Sequence, residues 1–345
     1  MKAGIMGSTG YTGAELVRIL IHHPEVELAF VDSRTYEGMA FEEVYPNLRG
    51  QAAMTAQSVD PEQLPEAVDV VFCALPHRVS QHHVAKLRNQ GLRVVDLSGD
   101  FRLNDRSTYE QWYETTHENW KWSSEAVYGL PEWYETDVKK AVLVANPGCF
   151  PTSILLPLLP LLKEGLISTG SLTINSITGI SGAGRNPGAV NVFSQVNENV
   201  RAYGIGTHRH TPEIRQELSK AAGEPVTLQF TPHLAPMDRG ILSTIVTPLP
   251  ESVSGDLVAQ CLHAYYGHKP FIRLLGENAL PETKAVKGSN YCDIAWKVDE
   301  WSGNLILVSA IDNLIKGSSG EAVQNMNLML GLPEETGLSH LATWP

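Results

Sequence analysis

The stretch Ala3-Gly4-Ile5-Met6-Gly7-Ser8-Thr9-Gly10-Tyr11-Thr12-Gly13 decides the reading of the first half of the chain. Its first four residues form a short apolar run, the signature of a buried strand. Three glycines then interrupt it, and the following residues set Leu16, Val17, Leu20 and Ile21 on one helical face until Pro24 ends the pattern. Val26 to Val31 is a second apolar run. A strand, a glycine turn, a helix and a strand form the unit on which a pyrophosphate rests. The glycines allow a tight turn and close approach, and the helix start supplies unpaired N–H groups. The spacing is G-x-x-G-x-x-G, with Thr9 where the commoner G-x-G-x-x-G carries its second glycine. Gly7, Ser8, Thr9, Gly10, Tyr11, Thr12 and Gly13 are therefore the candidate dinucleotide cradle, with Ser8, Thr9 and Thr12 as expected hydroxyl donors.

Working outward, Val68 to Leu75 predicts a strand, Val79 to Asn89 a polar helix stopped by Gly91, and Leu92 to Leu97 and Val142 to Ala145 two more strands. This alternation predicts an α/β domain with a mostly parallel sheet covered on both faces. The texture changes after Cys149. Residues 171–180, 226–231, 240–248, 291–298 and 305–311 read as longer strands with few helices between them. They predict an α+β second domain with a mixed, largely antiparallel sheet. The segment GSSGEAVQNMNLMLG returns to a helical pattern. The expected division is a Rossmann-type domain from 1–148 with 313–345, and a catalytic and oligomerisation domain over 149–312.

Composition narrows the function classes. With 345 residues, two domains are natural at roughly 100–200 residues each. The formal net charge of -12 leaves no basic surface of the kind nucleic acids require. The most apolar stretch, Ile154 to Leu162, is too short to span a bilayer and contains Pro157 and Pro160. The N-terminus lacks the apolar core of a signal peptide. Neither a nucleic-acid nor a membrane partner is expected, and the compartment reads as cytoplasmic and reducing.

The second strand ends in Val31-Asp32-Ser33-Arg34. An acid at this point reads the ribose 2′-hydroxyl of NAD, and an arginine accommodates the 2′-phosphate of NADP. Asp32 is early enough to turn back into the strand end, so Ser33 and Arg34 are expected to meet a phosphate, and the cofactor is read as NADP.

Of the four cysteines, Cys73 and Cys261 suit buried apolar positions, and no C-x-x-C pair occurs. Cys149 is different. Asn146-Pro147-Gly148-Cys149-Phe150-Pro151-Thr152 places it in a turn before an apolar helix expected from Thr152, where the helix dipole favours a thiolate. A thiolate needs a proton handler. Thr207-His208-Arg209-His210-Thr211-Pro212-Glu213 supplies two imidazoles on a turn before a helix, with Thr211 as its expected N-cap and Pro212 in its first turn. His210 is preferred to His208 as acid–base, because it directly precedes the cap. His208-x-His210 has no third ligand at a metal-binding spacing, so no metal is expected. The pairs His22-His23 and His82-His83 lie on predicted helices and read as surface residues.

With these residues placed, the chain resembles the N-acetyl-γ-glutamyl-phosphate reductase family, itself akin to aspartate-semialdehyde dehydrogenase. The resemblance rests on GSTGYTG at 7–13, DLSGDFR at 96–102, YGLPE at 128–132, NPGCFPT at 146–152, GISGAGR at 179–185, HRHTPEI at 208–214, FTPHLAPMDRGI at 230–241 and DNLIKGSSGEAVQN at 312–325. Gly99 departs from the alanine expected there. The resemblance implies a homodimer or homotetramer, and reduction of N-acetylglutamyl phosphate by NADPH through a Cys149 thioester. It also implies Asn313, Lys316 and Gly317 near the nicotinamide, and Arg102 and Arg185 near the substrate. Glu213, beside the histidines, is read as a further substrate contact. Reduction of another acyl phosphate (aspartyl phosphate or a carrier-linked amino acid) and a non-catalytic NADP-binding sensor are the alternatives.

Overall fold

The computed structural model describes residues 1–185, 188 and 191–344. They divide into two compact units, Met1–Pro147 with Ser318–Ser339, and Gly148–Gly317 with the tail from His340.

The first unit is a parallel sheet of β1 (Lys2–Met6), β2 (Glu27–Val31), β3 (Val70–Cys73), β4 (Arg93–Asp96), β5 (Ala126–Tyr128) and β6 (Leu143–Ala145), in the order β2-β1-β3-β4-β6-β5. Met6, Cys73, Asp96 and Ala145 stand in register along its carboxyl edge, where open α/β sheets bind ligands. β5 carries no sequence signal of its own: three residues at a sheet edge show no periodicity. The helix Gly320–Met329 is buried along its whole length. Its Asn325 donates to the carbonyl of Gly129 at 2.8 Å, and Asn327 Oδ1 accepts from His23 Nε2 at 3.0 Å. His23 is accordingly buried and not a surface residue, because Asn327 receives its ring just beyond the end of helix Tyr11–Leu20. His22 is exposed as expected. Around DLSGDFR a second small core forms, with Tyr109 stacked on Tyr113 at 4.6 Å and donating to Asp100 at 2.7 Å. A Cβ at position 99 would lie 2.1 Å from the Tyr113 hydroxyl, so the glycine there is matched to this tyrosine.

The second unit holds β7 (Leu172–Thr178), β8 (Arg201–Ala202), β9 (Leu228–Leu234), β10 (Ile241–Pro248), β11 (Ile272–Gly276), β12 (Cys292–Asp299) and β13 (Asn304–Ile311), in the order β11-β12-β13-β10-β7-β9-β8. The β11–β12 and β7–β9 pairs are parallel and the others antiparallel, so the sheet is mixed and largely antiparallel. Three long helices, Cys149–Lys163, His210–Ala222 and Gly255–Tyr266, pack on one face, more helix than the strand-rich reading anticipates. The first two stand where the sequence expects a helix after the cysteine turn and another after the histidines; the third, Gly255–Tyr266, is the addition.

Helix Cys149–Lys163 begins three residues earlier than expected and runs through both internal prolines. Each proline removes an N–H and orphans the carbonyl four residues before it. The fold supplies both missing donors: Ser309 Oγ donates to the Ser153 carbonyl, and Tyr266 Oη donates to the Leu156 carbonyl at 2.8 Å. Among the described residues, no helix is long and apolar enough to cross a membrane.

Candidate active site

The glycine turn is built as its spacing predicts. Gly7 has φ +79°, and a Cβ there would meet the Ala74 carbonyl oxygen at 2.5 Å. A Cβ on Gly13 would meet the Gly7 carbonyl at 2.4 Å, so the helix start sits directly on the turn. Gly10 meets only one atom, at 3.9 Å, and its missing side chain leaves the cradle open. The hydroxyls divide. Ser8 is buried and its hydroxyl donates to the Asp32 carbonyl at 2.8 Å, a bond that ties the turn to the end of β2. Thr9 and Ser33 share a hydrogen bond of 2.8 Å, and Thr12 accepts from Ser318 at 3.4 Å. Tyr11 is 37% exposed at the helix start.

The end of β2 separates its acid from its base. The Asp32 carboxylate accepts the Gly7 N–H on one oxygen and the Val59 N–H on the other, both at 3.0 Å. With both oxygens committed to backbone, Asp32 fastens the glycine turn. Ser33 is buried beside Thr9, whereas Arg34 is exposed.

In the second unit, Cys149 is the first residue of its helix and is partly exposed, whereas Cys73, Cys261 and Cys292 are buried. Burial pushes the Cys73 thiol well up. Gly148 is where the reactive groups converge. Its N–H donates to Glu213 Oε1 at 2.9 Å, and a Cβ on it would meet His210 Nε2 at 2.4 Å. The His210 imidazole therefore lies against the Cα atom that precedes the thiol. His210 and Glu213, three residues apart, reach the same turn from one face of their helix. Glu213 is 1% exposed and braces the turn from within. From the other side, Gly317 packs on Cys149, where a Cβ would meet the cysteine Cβ at 2.8 Å.

The helix carrying the histidines starts at His210, which places Thr211 inside it and not at its N-cap. The cap is supplied differently: His208 Nδ1 accepts the His210 N–H at 3.1 Å, and the His208 carbonyl accepts the Thr211 N–H at 2.9 Å. The His208 ring stands edge-on to Phe150 and Phe230 at 5.4 Å and to Tyr203 at 5.5 Å, spacings typical of such pairs. Burial, then the Arg209 charge, pushes His208 down to about 4. Tyr203 has no sequence signal, being an isolated aromatic in a loop. Burial, then the charge of Cys149, raises its phenol well above the usual range.

The residues after β13 are less exposed than a cofactor contact suggests. Asn313 is 2% exposed, accepts the Gly240 N–H at 2.8 Å and donates to Ser181 at 3.0 Å. Lys316 is fully buried in a π-helical turn, with Nζ 5.9 Å from the centre of the Phe271 ring. In the first unit, Arg102 is 5% exposed and donates to the carbonyls of Asn146 at 2.7 Å and Leu97 at 2.9 Å. It holds the strand ends that lead to the cysteine turn. Arg185 is half-buried in the loop after Gly184, itself at φ +82°.

Comparison with known proteins gives a consistent answer. Residues 2–141 match the family described as semialdehyde dehydrogenase, NAD binding domain, and residues 149–313 match semialdehyde dehydrogenase, dimerisation domain. The chain is 56% identical over 345 residues to the N-acetyl-gamma-glutamyl-phosphate reductase of Alkaliphilus metalliredigens, covering 100% of both chains. It is 49% identical over 346 residues to that of Geobacter sulfurreducens, again over 100% of both. In fold it is similar to aspartate semialdehyde dehydrogenase II of Vibrio cholerae, with TM-score 0.72 and 17% identity over 96% of this chain and 98% of the other. It is likewise similar to the NADP-bound aspartate semialdehyde dehydrogenase of Candida albicans, with TM-score 0.71 and 20% identity over 95% and 98%. A full-length match at this identity, on a chain whose glycine cradle and Cys149 turn are built as described, places the protein in the N-acetyl-γ-glutamyl-phosphate reductase family.

Proposed function

We propose that the chain reduces N-acetyl-γ-glutamyl phosphate to its semialdehyde through a thioester on Cys149, with NADPH as reductant. The observation that carries this reading is the convergence on Gly148: a cysteine at a helix start, with an imidazole and a buried carboxylate fixed against the preceding residue. The Cys149 thiolate attacks the acyl carbonyl, a C–S bond forms, and the C–O bond to phosphate breaks. Pro151 has no N–H and that of Thr152 is spent on the Gly148 carbonyl at 3.0 Å, so the Phe150 amide is the donor read as facing the oxyanion. NADPH, when bound, would supply the hydride that the thioester carbonyl carbon accepts. His210 protonates the resulting hemithioacetal oxygen or removes its proton as the C–S bond breaks, releasing aldehyde and thiolate. His208, neutral and packed among aromatics, positions the His210 backbone.

The cradle formed by Gly7, Thr9, Gly10, Thr12 and Gly13 fits a dinucleotide pyrophosphate. Asp32 is tied to backbone, while Ser33 is bonded to Thr9 of the cradle and Arg34 is exposed after it, which supports NADP over NAD. We read the first unit, 1–147 with 318–339, as the cofactor domain and the second, 148–317, as the catalytic one, which moves Asn313, Lys316 and Gly317 from the expected cofactor domain to the unit of Cys149. Gly317, with Asn313 and Lys316 behind it, is read as the nicotinamide-side wall, and Arg185 as the contact for the substrate's anionic end. The sheet face opposite the helices presents Ile177, Leu242, Thr244, Val246, Ile306 and Val308, and we read it as the contact between copies in a homodimer or homotetramer. No disulfide joins the cysteines, in keeping with a reducing cytoplasmic location. The test is phosphate-dependent reduction of NADP by N-acetylglutamate semialdehyde, compared with aspartate semialdehyde. Turnover confined to the former is expected; preference for the latter overturns the substrate assignment.

A further inference from the structure

A hollow of about 430 Å³ opens in the first unit beside the end of β2, lined by Arg34, Ser58, Asp60, His82, His83 and Lys86. Two fixed cations and two imidazoles around one carboxylate are unusual in a chain of net charge -12. The hollow adjoins the cradle through fixed bonds. Its wall residue Val59 donates to Asp32, and Ser33 donates to the Gln57 carbonyl at 2.8 Å. A ribose held at this strand end therefore has its 2′-substituent beside this basic cluster. The helix Ser80–Asn89, which carries three of the four basic groups, contributes nothing to the reading of the cofactor from the β2 terminus alone.

We propose that His83, with Lys86, forms the second half of a phosphate-monoester pocket opposite Arg34, and that the His83 imidazole takes up a proton as the 2′-phosphate of NADP enters. This rests on the NADP reading above. His83 Nδ1 lies 3.2 Å from the Val79 carbonyl, so that nitrogen is the donor and Nε2 is the atom that gains a proton. The groups facing the ring are Arg34 and Asp32 from the β2 end, Asp60 from the loop, and His82 and Lys86 on its own helix. Glu62 pairs with Lys86 at 3.2 Å, and Glu118 lies 3.9 Å from His82. Burial first, then the Arg34 and Lys86 charges, hold the His83 imidazole below its ordinary value. A dianion between these three groups reverses the last effect, because an opposite charge within ~4–6 Å favours the protonated ring.

Calorimetric titration of the whole protein with NADPH and with NADH tests this, in two buffers of different ionisation enthalpy at about pH 6.5. The 2′-phosphate sheds some of its own proton on binding, its second pKa being about 6, so wild type and variants are compared at one pH. His83→Gln is expected to remove the proton uptake seen with NADPH and to weaken NADPH about 5–10-fold, the loss of one charge-assisted hydrogen bond, with NADH unchanged. Inorganic phosphate is expected to compete with NADPH and not with NADH. Equal weakening of both cofactors in His83→Gln, uptake that persists in the variant, or phosphate binding independent of NADPH overturns the proposal. Arg34→Ala separates the two layers. If it weakens NADPH and NADH alike, the NADP reading itself fails; if it is selective while His83→Gln is silent, only the role of His83 fails.

Discussion

Replacing Gly148 by alanine tests the centre of the site with a single methyl group. The backbone there, φ −71° and ψ 152°, suits any residue, so the substitution introduces no backbone strain. Its methyl would, however, stand 2.4 Å from His210 Nε2, against ordinary contacts that begin at 3.4 Å. The imidazole must retreat by the difference, about 1 Å. The Gly148 N–H keeps its bond to Glu213, and alanine at an N-cap in place of glycine costs at most about 1 kcal/mol, so the fold survives. A displacement of ~1 Å at the reacting groups is worth about 10²-fold in turnover. We therefore expect Gly148→Ala to lower kcat about 100-fold with KM and NADPH affinity nearly unchanged, and His210→Asn in the same background to add little further loss. The assay is phosphate-dependent oxidation of N-acetylglutamate semialdehyde followed by NADPH absorbance, with the melting temperature as control. A kcat within about threefold of wild type, at an unchanged melting temperature, would refute the argument that His210 works from its place against Gly148.

Cys149→Ser should abolish reduction while NADPH still binds, because serine offers no thiolate near neutral pH; substantial turnover in the variant defeats the thioester. Cys73→Ser and Cys261→Ser should leave the chemistry in place and cost only stability. His210→Asn should lower kcat by about 10²–10⁴-fold and remove one limb of the pH profile, whereas His208→Asn should loosen the turn without removing that limb. A reversal of those two results exchanges the roles. Because the folded His208 titrates at about 4, below its unfolded value, the unfolded chain binds the proton first as pH falls; stability is lost from about pH 6.5 downward, and His208→Asn should lessen that loss in acid melting curves. Asp96 works in the opposite sense. Burial, then the Asp100 charge, raises its carboxyl, so its contribution to stability is complete below the ordinary aspartate range and is lost as pH rises through the raised value. Asp96→Asn should flatten that part of the melting-temperature profile; an unchanged slope means that Asp96 ionises as it does in the unfolded chain.

The parts of this architecture visible in the sequence are those in which one physical rule acts alone. β1, the glycine turn and the helix after it are legible because apolar runs and glycines report directly on burial and on a turn that excludes a Cβ. The second sheet is legible for the same reason, its strands alternating between a helix-covered and an open face. What escapes is set by tertiary partners. Ser8 reads as a hydroxyl donor, but only the fold shows its bond to the Asp32 carbonyl. Thr211 looks like a cap until the His208 ring supplies the acceptor from two residues before the helix. His23 looks like a surface residue because its partner, Asn327, lies three hundred residues away in sequence. Tyr203 gives no local pattern that distinguishes a site residue from any loop aromatic, and Glu213 is legible only from its place beside the histidines.

The two prolines in the helix that begins at Cys149 bear on when the enzyme becomes reactive. Each proline costs a helix interior about 3 kcal/mol, so this segment does not hold its shape as an isolated peptide. Its missing donors come from Ser309 and Tyr266, more than a hundred residues downstream. A ribosome-bound chain that has emerged only as far as His210 thus carries Cys149 on an unformed helix, without the ordered amides that favour a thiolate. The nucleophile is assembled late in synthesis, once β13 has closed the sheet.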